Sequence, residues 1–473
     1  MKKREVDSSG EWTAYDAEIM NLWRQRDYVR AIVVAQQVLE AATQKFGPDH
    51  LNVATRLDIL AMLYEMKKDF AKVKDLLCRV LEIKEKALGL DHPDVATCLD
   101  RLASKFITEK DYAKAEPLLK RSLAIREKAF GPDDPKVVTS LEDLAKVYED
   151  QSDYPKAELL LKRILAIKEK ALGPDHSDVA SCLCNLASLY TTQKDYAKAE
   201  PILKRSLAIE ETASGPDHPK VAYFLDRLAE LYETQADYAK AGALFKRSLA
   251  IKEKEYGSDN PFLTIGIERL ASIYITQKDY AKAVPLLKRS LAIWKKDVGP
   301  NHLSVTYILN SLAKLYYNKG DYAKAEPLLK RCLAIQEKVL GPDHPRVASS
   351  LDKLGEIYRD QGDYAKAEPL LKRALAIREK TFCPDHLEVT LSLDNLAALY
   401  YLQKDYAKAE PLFKRLLAIY LKVYGPNHTN VAITLENLAS LSRKTNRIEE
   451  AQKLAEQAAR IRTIKREEGT TTR

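Results

Sequence analysis

The sequence predicts an all-α solenoid, a stack of about eleven helix-turn-helix repeats, and three observations carry that reading. An Asp-aromatic pair recurs at a constant step of 42 residues. Each step holds two stripes of apolar residues at helical spacing. No stretch alternates apolar and polar residues with period two, so no strand is expected.

The repeat comes first because it sets the domain count. The pair runs from Asp27-Tyr28 through Asp69-Phe70, Asp111-Tyr112 and Asp153-Tyr154 to Asp405-Tyr406, without insertion or deletion. One further step reaches Arg447-Ile448, a degenerate copy. A second marker, Gly-Pro-Asp-His, keeps the same period at Gly47, Gly173, Gly215 and Gly341. Length alone would suggest about three domains. Stacked repeats share one continuous core, so a single solenoid over 12–466 is expected, with disordered tails at 1–11 and 467–473.

Within one copy the first helix, A, is marked by Val137, Leu141, Leu144, Ala145 and Tyr148. The second, B, follows Asp153-Tyr154 and carries Ala157, Leu160, Leu161, Ile164, Leu165 and Ile167. Gly173-Pro174 stops it. On B, Glu stands four residues before Lys, as in Glu116 and Lys120, which suits an exposed helical face. Six copies place a proline inside B: Pro117, Pro201, Pro285, Pro327, Pro369 and Pro411. Proline lacks an N–H and clashes with the carbonyl four residues earlier, so a bend or distorted turn is expected at each. In the last B helix Ala451, Ala455 and Ala458 replace bulkier residues, the mark of a capping repeat.

Composition excludes several classes. Charged residues make up 30% and the net charge is +8, too small at this length to imply strong nonspecific nucleic-acid binding. No apolar run of about 18 residues is present to span a membrane, and no apolar stretch follows the N-terminal lysines to make a signal peptide. The six cysteines are scattered over five repeat positions with no disulfide framework, which fits a reducing, cytoplasmic setting.

The segment Leu351-x2-Leu354-Gly355-x2-Tyr358, followed by Ala367-x3-Leu371 and Ala374, resembles the tetratricopeptide repeat (TPR) signature. Leu stands where Trp is usual, and most copies hold Ala at the Gly355 place. The 42-residue unit is longer than the usual one, and together with its Gly-Pro-Asp-His-Pro turns it is similar to the repeats of kinesin light chain and related bacterial arrays. The resemblance implies a right-handed TPR superhelix with the A helices lining a concave groove. No heptad segment precedes the repeats, so motor association is not expected.

Several residues invite a chemical reading. All eight histidines (His50, His92, His176, His218, His302, His344, His386, His428) share one repeat position. Asp134 and Asn260 fill that position in the two other turns. Neither can replace an imidazole base, and both are strong helix N-caps, so a capping role is expected. The Tyr148-type stripe reads as interhelical packing, not base stacking. The Lys-Arg pairs, from Lys120-Arg121 to Lys414-Arg415, lie near glutamates and read as a neutralised solvated band. Cys182-x-Cys184 has no second pair to complete a zinc site. There is no phosphate loop and no nucleophile elbow. No enzyme activity, cofactor or metal is expected.

What remains is the groove. The resemblance places six A-helix positions there: five, two and one residues before the Leu144-type residue, and two, five and six after it. One copy offers Tyr307, Asn310, Ser311, Lys314, Tyr317 and Asn318, and another offers Leu391, Asp394, Asn395, Ala398, Tyr401 and Leu402. Lys353, Arg359 and Asn437 occupy matching places. Thr139, Glu142, Asp143, Lys146, Glu149 and Asp150 form an acidic counterpart nearer the N-terminus. Rings, amides and cations together suit an anchored peptide, and Tyr317 and Tyr401 are expected as exposed aromatic anchors. The two-lysine, two-asparagine carboxylate clamp of chaperone-tail binders does not appear in register. The expected function is a scaffold binding partner proteins or extended peptides, with a regulatory or sensor subunit of a separately encoded effector enzyme as the alternative.

Overall fold

The computed structural model describes residues 9–471, with side chains described over 15–464. The chain divides into two compact units, Met1–Leu244 and Phe245–Arg473, each a row of antiparallel helix pairs. The first holds α1 (Ser9–Arg24), α2 (Tyr28–Phe46), α3 (Leu51–Met66), α4 (Phe70–Leu88), α5 (Pro93–Thr108), α6 (Tyr112–Phe130), α7 (Val138–Asp150), α8 (Tyr154–Leu172), α9 (Ser177–Thr192), α10 (Tyr196–Ser214) and α11 (Pro219–Thr234). The division falls inside α12 (Tyr238–Tyr256). The second unit continues with α13 (Thr264–Thr276), α14 (Tyr280–Asp297), α15 (Leu303–Asn318), α16 (Tyr322–Leu340), α17 (Pro345–Asp360), α18 (Tyr364–Phe382), α19 (Thr390–Leu402), α20 (Tyr406–Tyr424), α21 (Thr429–Lys444) and α22 (Ile448–Thr471). There is no strand among the described residues. Helix runs beyond 12–466 at both ends, and at the C-terminal end the Lys-Arg-Glu-Glu segment from Lys465 favours it. Residues 1–8 and 472–473 lie outside the described residues.

The repeat markers are helix caps. In the Asp-aromatic pair the carboxylate accepts a hydrogen bond from the N–H three residues on, as Asp195 does from Lys198 and Asp363 from Lys366. The residue before this Asp is left-handed. It is Gly320 or Gly362 in two copies and a residue with a side chain in others, such as Lys194 at φ 61°. The other marker ends B helices with a residue at positive φ, usually glycine, for example Gly173 at 90°, and in α18 Cys383 at 68°.

The six prolines do not interrupt their helices. α6 contains Pro117 and spans 19 residues, as does α8, which has Leu159 at that place. The expected distorted turn is therefore not seen as a break in the helix. Each proline is exposed, and for Pro117 the carbonyl it strands belongs to exposed Ala113, where water can reach it. The cost falls on solvated backbone rather than on packing.

Both helices bury one face. In the second unit Leu309, Leu312, Ala313 and Tyr316 of α15 pack with Leu329 of α16 and onward into the next pairs. Most Tyr148-type rings are buried, and where the preceding B helix offers a glutamate the hydroxyl donates to it, Tyr358 to Glu326 at 2.7 Å and Tyr400 to Glu368 at 2.9 Å. The same glutamate pairs with lysine one turn on, Glu326 with Lys330 at 2.7 Å. At the C-terminal end Ala458 and Ile461 of α22 close over Val431, Ala432 and Leu435.

Successive B helices are tied by an ionic zipper. In six of the Lys-Arg pairs the arginine reaches a glutamate 36 residues back: Arg121 to Glu85, Arg163 to Glu127, Arg205 to Glu169, Arg289 to Glu253, Arg373 to Glu337 and Arg415 to Glu379. The guanidinium also donates to a turn carbonyl, as Arg373 does through its other arm to Pro342 at 3.2 Å. A lysine further along reaches an aspartate of the same turn, Lys170 to Asp133 at 3.0 Å. At these junctions the basic band is thus consumed in joining repeats.

Candidate binding face on the A helices

All eight histidines are N-caps. In each, Nδ1 accepts from the backbone N–H two residues on, as in Asn52 to His50 at 3.1 Å and Arg346 to His344 at 3.1 Å. Asp134 and Asn260 do the same with a side-chain oxygen, from Lys136 at 2.8 Å and Phe262 at 2.9 Å. Among the described residues no cluster of His, Cys, Asp and Glu is placed to hold a metal ion.

In the second unit two cavities open on the A-helix face. The first, about 270 Å³, lies between α15 and α17 and is lined by Lys314, Tyr317, Asn318, Lys353 and Glu356, with buried Leu329 of α16 also in its wall. The second, about 390 Å³, lies among α17, α19 and α21 and is lined by Arg359, Asp394, Tyr401, Leu402, Asn437 and Ser440, with Phe413 of α20. Each combines a tyrosine, a cation and an amide around an apolar surface.

The expected site residues divide by accessibility. Tyr307 is 63% exposed, and Lys314 and Asn318 are also exposed. Asn310 is half-buried; its amide donates to the Thr306 carbonyl at 3.0 Å and accepts from Lys353 at 3.3 Å. Lys353 reaches solvent but is walled by protein. Desolvation, with Lys314 nearby, holds its ammonium below the usual lysine range. Arg359 pairs with Asp360 at 2.9 Å.

Three expectations need correction. Tyr317 and Tyr401 are half-buried, not free rings. Tyr317 donates to Asp360 of the next A helix at 2.5 Å, and burial with that carboxylate pushes its phenol up. Tyr401 bonds Ser440 at 2.8 Å. A tyrosine is long enough to span to the neighbouring repeat, which its direction alone does not reveal. Asn395 is only 6% exposed, and its amide donates to Glu356 at 2.9 Å, so it is spent inside the helix row. Glu356, Asp360 and Ser440 were missed as site residues, although they occupy groove positions by the same spacing rule.

The first unit has its own acidic place on this face. Asp143 of α7 is half-buried; desolvation, then repulsion from Asp100 and Glu142, raises its pKa to about 6. Glu149 on the same helix is also raised, chiefly by desolvation.

The tetratricopeptide repeat family model matches 19–86, 75–128, 106–170, 160–212, 178–254, 263–338, 304–380 and 388–464, and a second model of that description matches 353–420. The chain is a tetratricopeptide repeat protein. Among solved structures, this TPR chain is similar to a kinesin light chain of nearly identical TPR-like repeats from Podosopora anserina, at 28% identity over 44% of this chain and 98% of that one, TM-score 0.40. It is also similar to BtubC (BKLC) from P. vanneervenii, at 21% identity over 49% and 90%, TM-score 0.40. A TPR repeat-containing protein from Cytophaga hutchinsonii matches at 12% identity over 58% and 93%, TM-score 0.41. The comparison with curated proteins gave no match. No helix among the described residues is long and apolar enough to cross a membrane.

Proposed function

We propose that this TPR protein is a non-enzymatic interaction scaffold whose A-helix face in the second unit takes an extended peptide segment of a partner protein. One observation carries the reading. Two cavities of about 270 and 390 Å³ share one face, and each offers a tyrosine, a cation and an amide. Apolar ligand side chains fill the cavities, amides such as Asn318 and Asn437 meet the peptide backbone, and Lys314, Lys353 and Arg359 favour carboxylates. The six cysteines are free thiols, which supports a cytoplasmic setting.

The test is affinity capture of partners from a lysate, followed by titration of the recovered segment. Lys314→Ala with Asn318→Ala changes only exposed side chains and should weaken binding about tenfold or more, at unchanged melting temperature. Lys372→Ala, on the B-helix side, is the control. Arg373 is unsuitable as a control because it holds Glu337 in the zipper. Equal binding by the double variant and wild type would refute the groove reading.

A further inference from the structure

Among the junctions that carry a Lys-Arg pair, one lacks both zipper acids. Between α14 and α16 the zipper glutamate is replaced by Lys295, 36 residues before Arg331. The turn aspartate is replaced there by Asn301, 37 residues before Lys338. Elsewhere that second spacing joins Lys86 to Asp49, Lys128 to Asp91, Lys170 to Asp133, Lys296 to Asp259 and Lys380 to Asp343. Two substitutions at one junction therefore remove both anions and add a cation.

The three cations have no carboxylate partner among the described residues. Arg331 keeps only its bond to the Pro300 carbonyl, at 3.2 Å, which orients the guanidinium as in the other junctions. Lys295 is half-buried, and desolvation followed by repulsion from Arg331 lowers its pKa. Lys338 is exposed. The neighbouring charges are already engaged: Lys296 with Asp259 at 3.0 Å, Lys330 with Glu326 at 2.7 Å, and Glu337 with Arg373 at 2.7 Å. Asp297 lies two residues beyond Lys295, about 200° around α14, and pairs with none of the three.

The chain itself shows how an anion fits such a place. At the first junction one carboxylate, Asp49, bridges Arg79 at 2.6 Å and Lys86 at 3.0 Å. Arg331 and Lys338 hold the matching positions, with Lys295 added and Asn301 in the aspartate's place. We propose that the α14–α16 junction binds a phosphate-type dianion, as free phosphate or as a phosphomonoester, between Arg331, Lys338 and Lys295. A single carboxylate would leave two of the three cations uncompensated. A dianion with several acceptor oxygens meets the guanidinium fork and both ammonium groups. This surface is on the B helices and does not depend on the groove reading.

The test uses the full chain and the variant Lys295→Glu/Asn301→Asp, which rebuilds the acids present at other junctions. Melting is followed in sodium phosphate and in O-phosphoserine, each against sodium chloride at equal ionic strength. The expected result is a phosphate-dependent rise in Tm for the wild type beyond that of the variant, with isothermal titration showing affinity about tenfold or more weaker in the variant. The variant should also melt above the wild type when no phosphate is present. A larger response to O-phosphoserine assigns the site to an esterified group; an equal response assigns it to the free ion. Identical phosphate responses in wild type and variant, or a variant no more stable in chloride, would overturn the proposal.

Discussion

Removing histidine caps is the sharpest test of how the repeat is built. Consider His218, where Nδ1 accepts from the Lys220 N–H at 3.3 Å at the start of α11. His218→Ala leaves that N–H to water and should cost about 1 kcal/mol, the usual worth of an N-cap side chain. His218→Asn should recover nearly all of it, because Asn260 performs the same task in its own turn. His428→Ala should cost more. Its ring also stacks on Tyr424 at 4.1 Å between centroids, which adds about 0.5–1.5 kcal/mol. Caps 42 residues apart share no partners, so replacing all eight histidines by alanine should cost about 8 kcal/mol or somewhat more. Urea unfolding followed by far-UV circular dichroism reads this as a lowered midpoint. If the asparagine variant were as unstable as the alanine variant, capping would not be what the imidazole contributes. If alanine cost nothing, the bond would be idle.

Other positions give equally direct outcomes. Lys194→Gly relieves a left-handed residue at φ 61° and should stabilise by about 0.5–1 kcal/mol, as Gly320 and Gly362 do naturally; thermal melting checks it. Pro201→Ala restores a backbone bond on an exposed turn and should raise stability by about 1–3 kcal/mol, with hydrogen exchange at the new amide as the local readout. Asp143→Asn should stabilise at pH 7 and do nothing near pH 3. The folded carboxyl, raised to about 6, holds its proton more tightly than the unfolded one at 3.8, so wild-type stability falls as pH rises through that window. The full shift corresponds to about 3 kcal/mol, and solvent screening of this half-exposed group reduces the expected gain to about 1–2. Equal stability differences at both pH values would refute it.

The fold was legible because each copy restates it. The helix pairs, the caps and the buried tyrosine stripe follow from residues read within a single unit. The histidine role was legible because Asp134 and Asn260 stand in the same place. Less legible was what one copy does to the next. Tyr317 finds Asp360 and Asn395 finds Glu356 across 43 and 39 residues, and the groove spacing rule gives direction but not reach. The proline expectation weighed the lost bond without the exposure that lets water replace it.

The ionic zipper gives the repeats it joins the same left and right edge. Removing residues 154–195, one 42-residue step, would bring Arg205 opposite Glu127 instead of Glu169, an unchanged pairing. Copies are therefore interchangeable parts, and unequal exchange between such similar stretches of gene lengthens or shortens the array without breaking a joint. The α14–α16 junction behaves differently, because its cations follow that one seam wherever it moves.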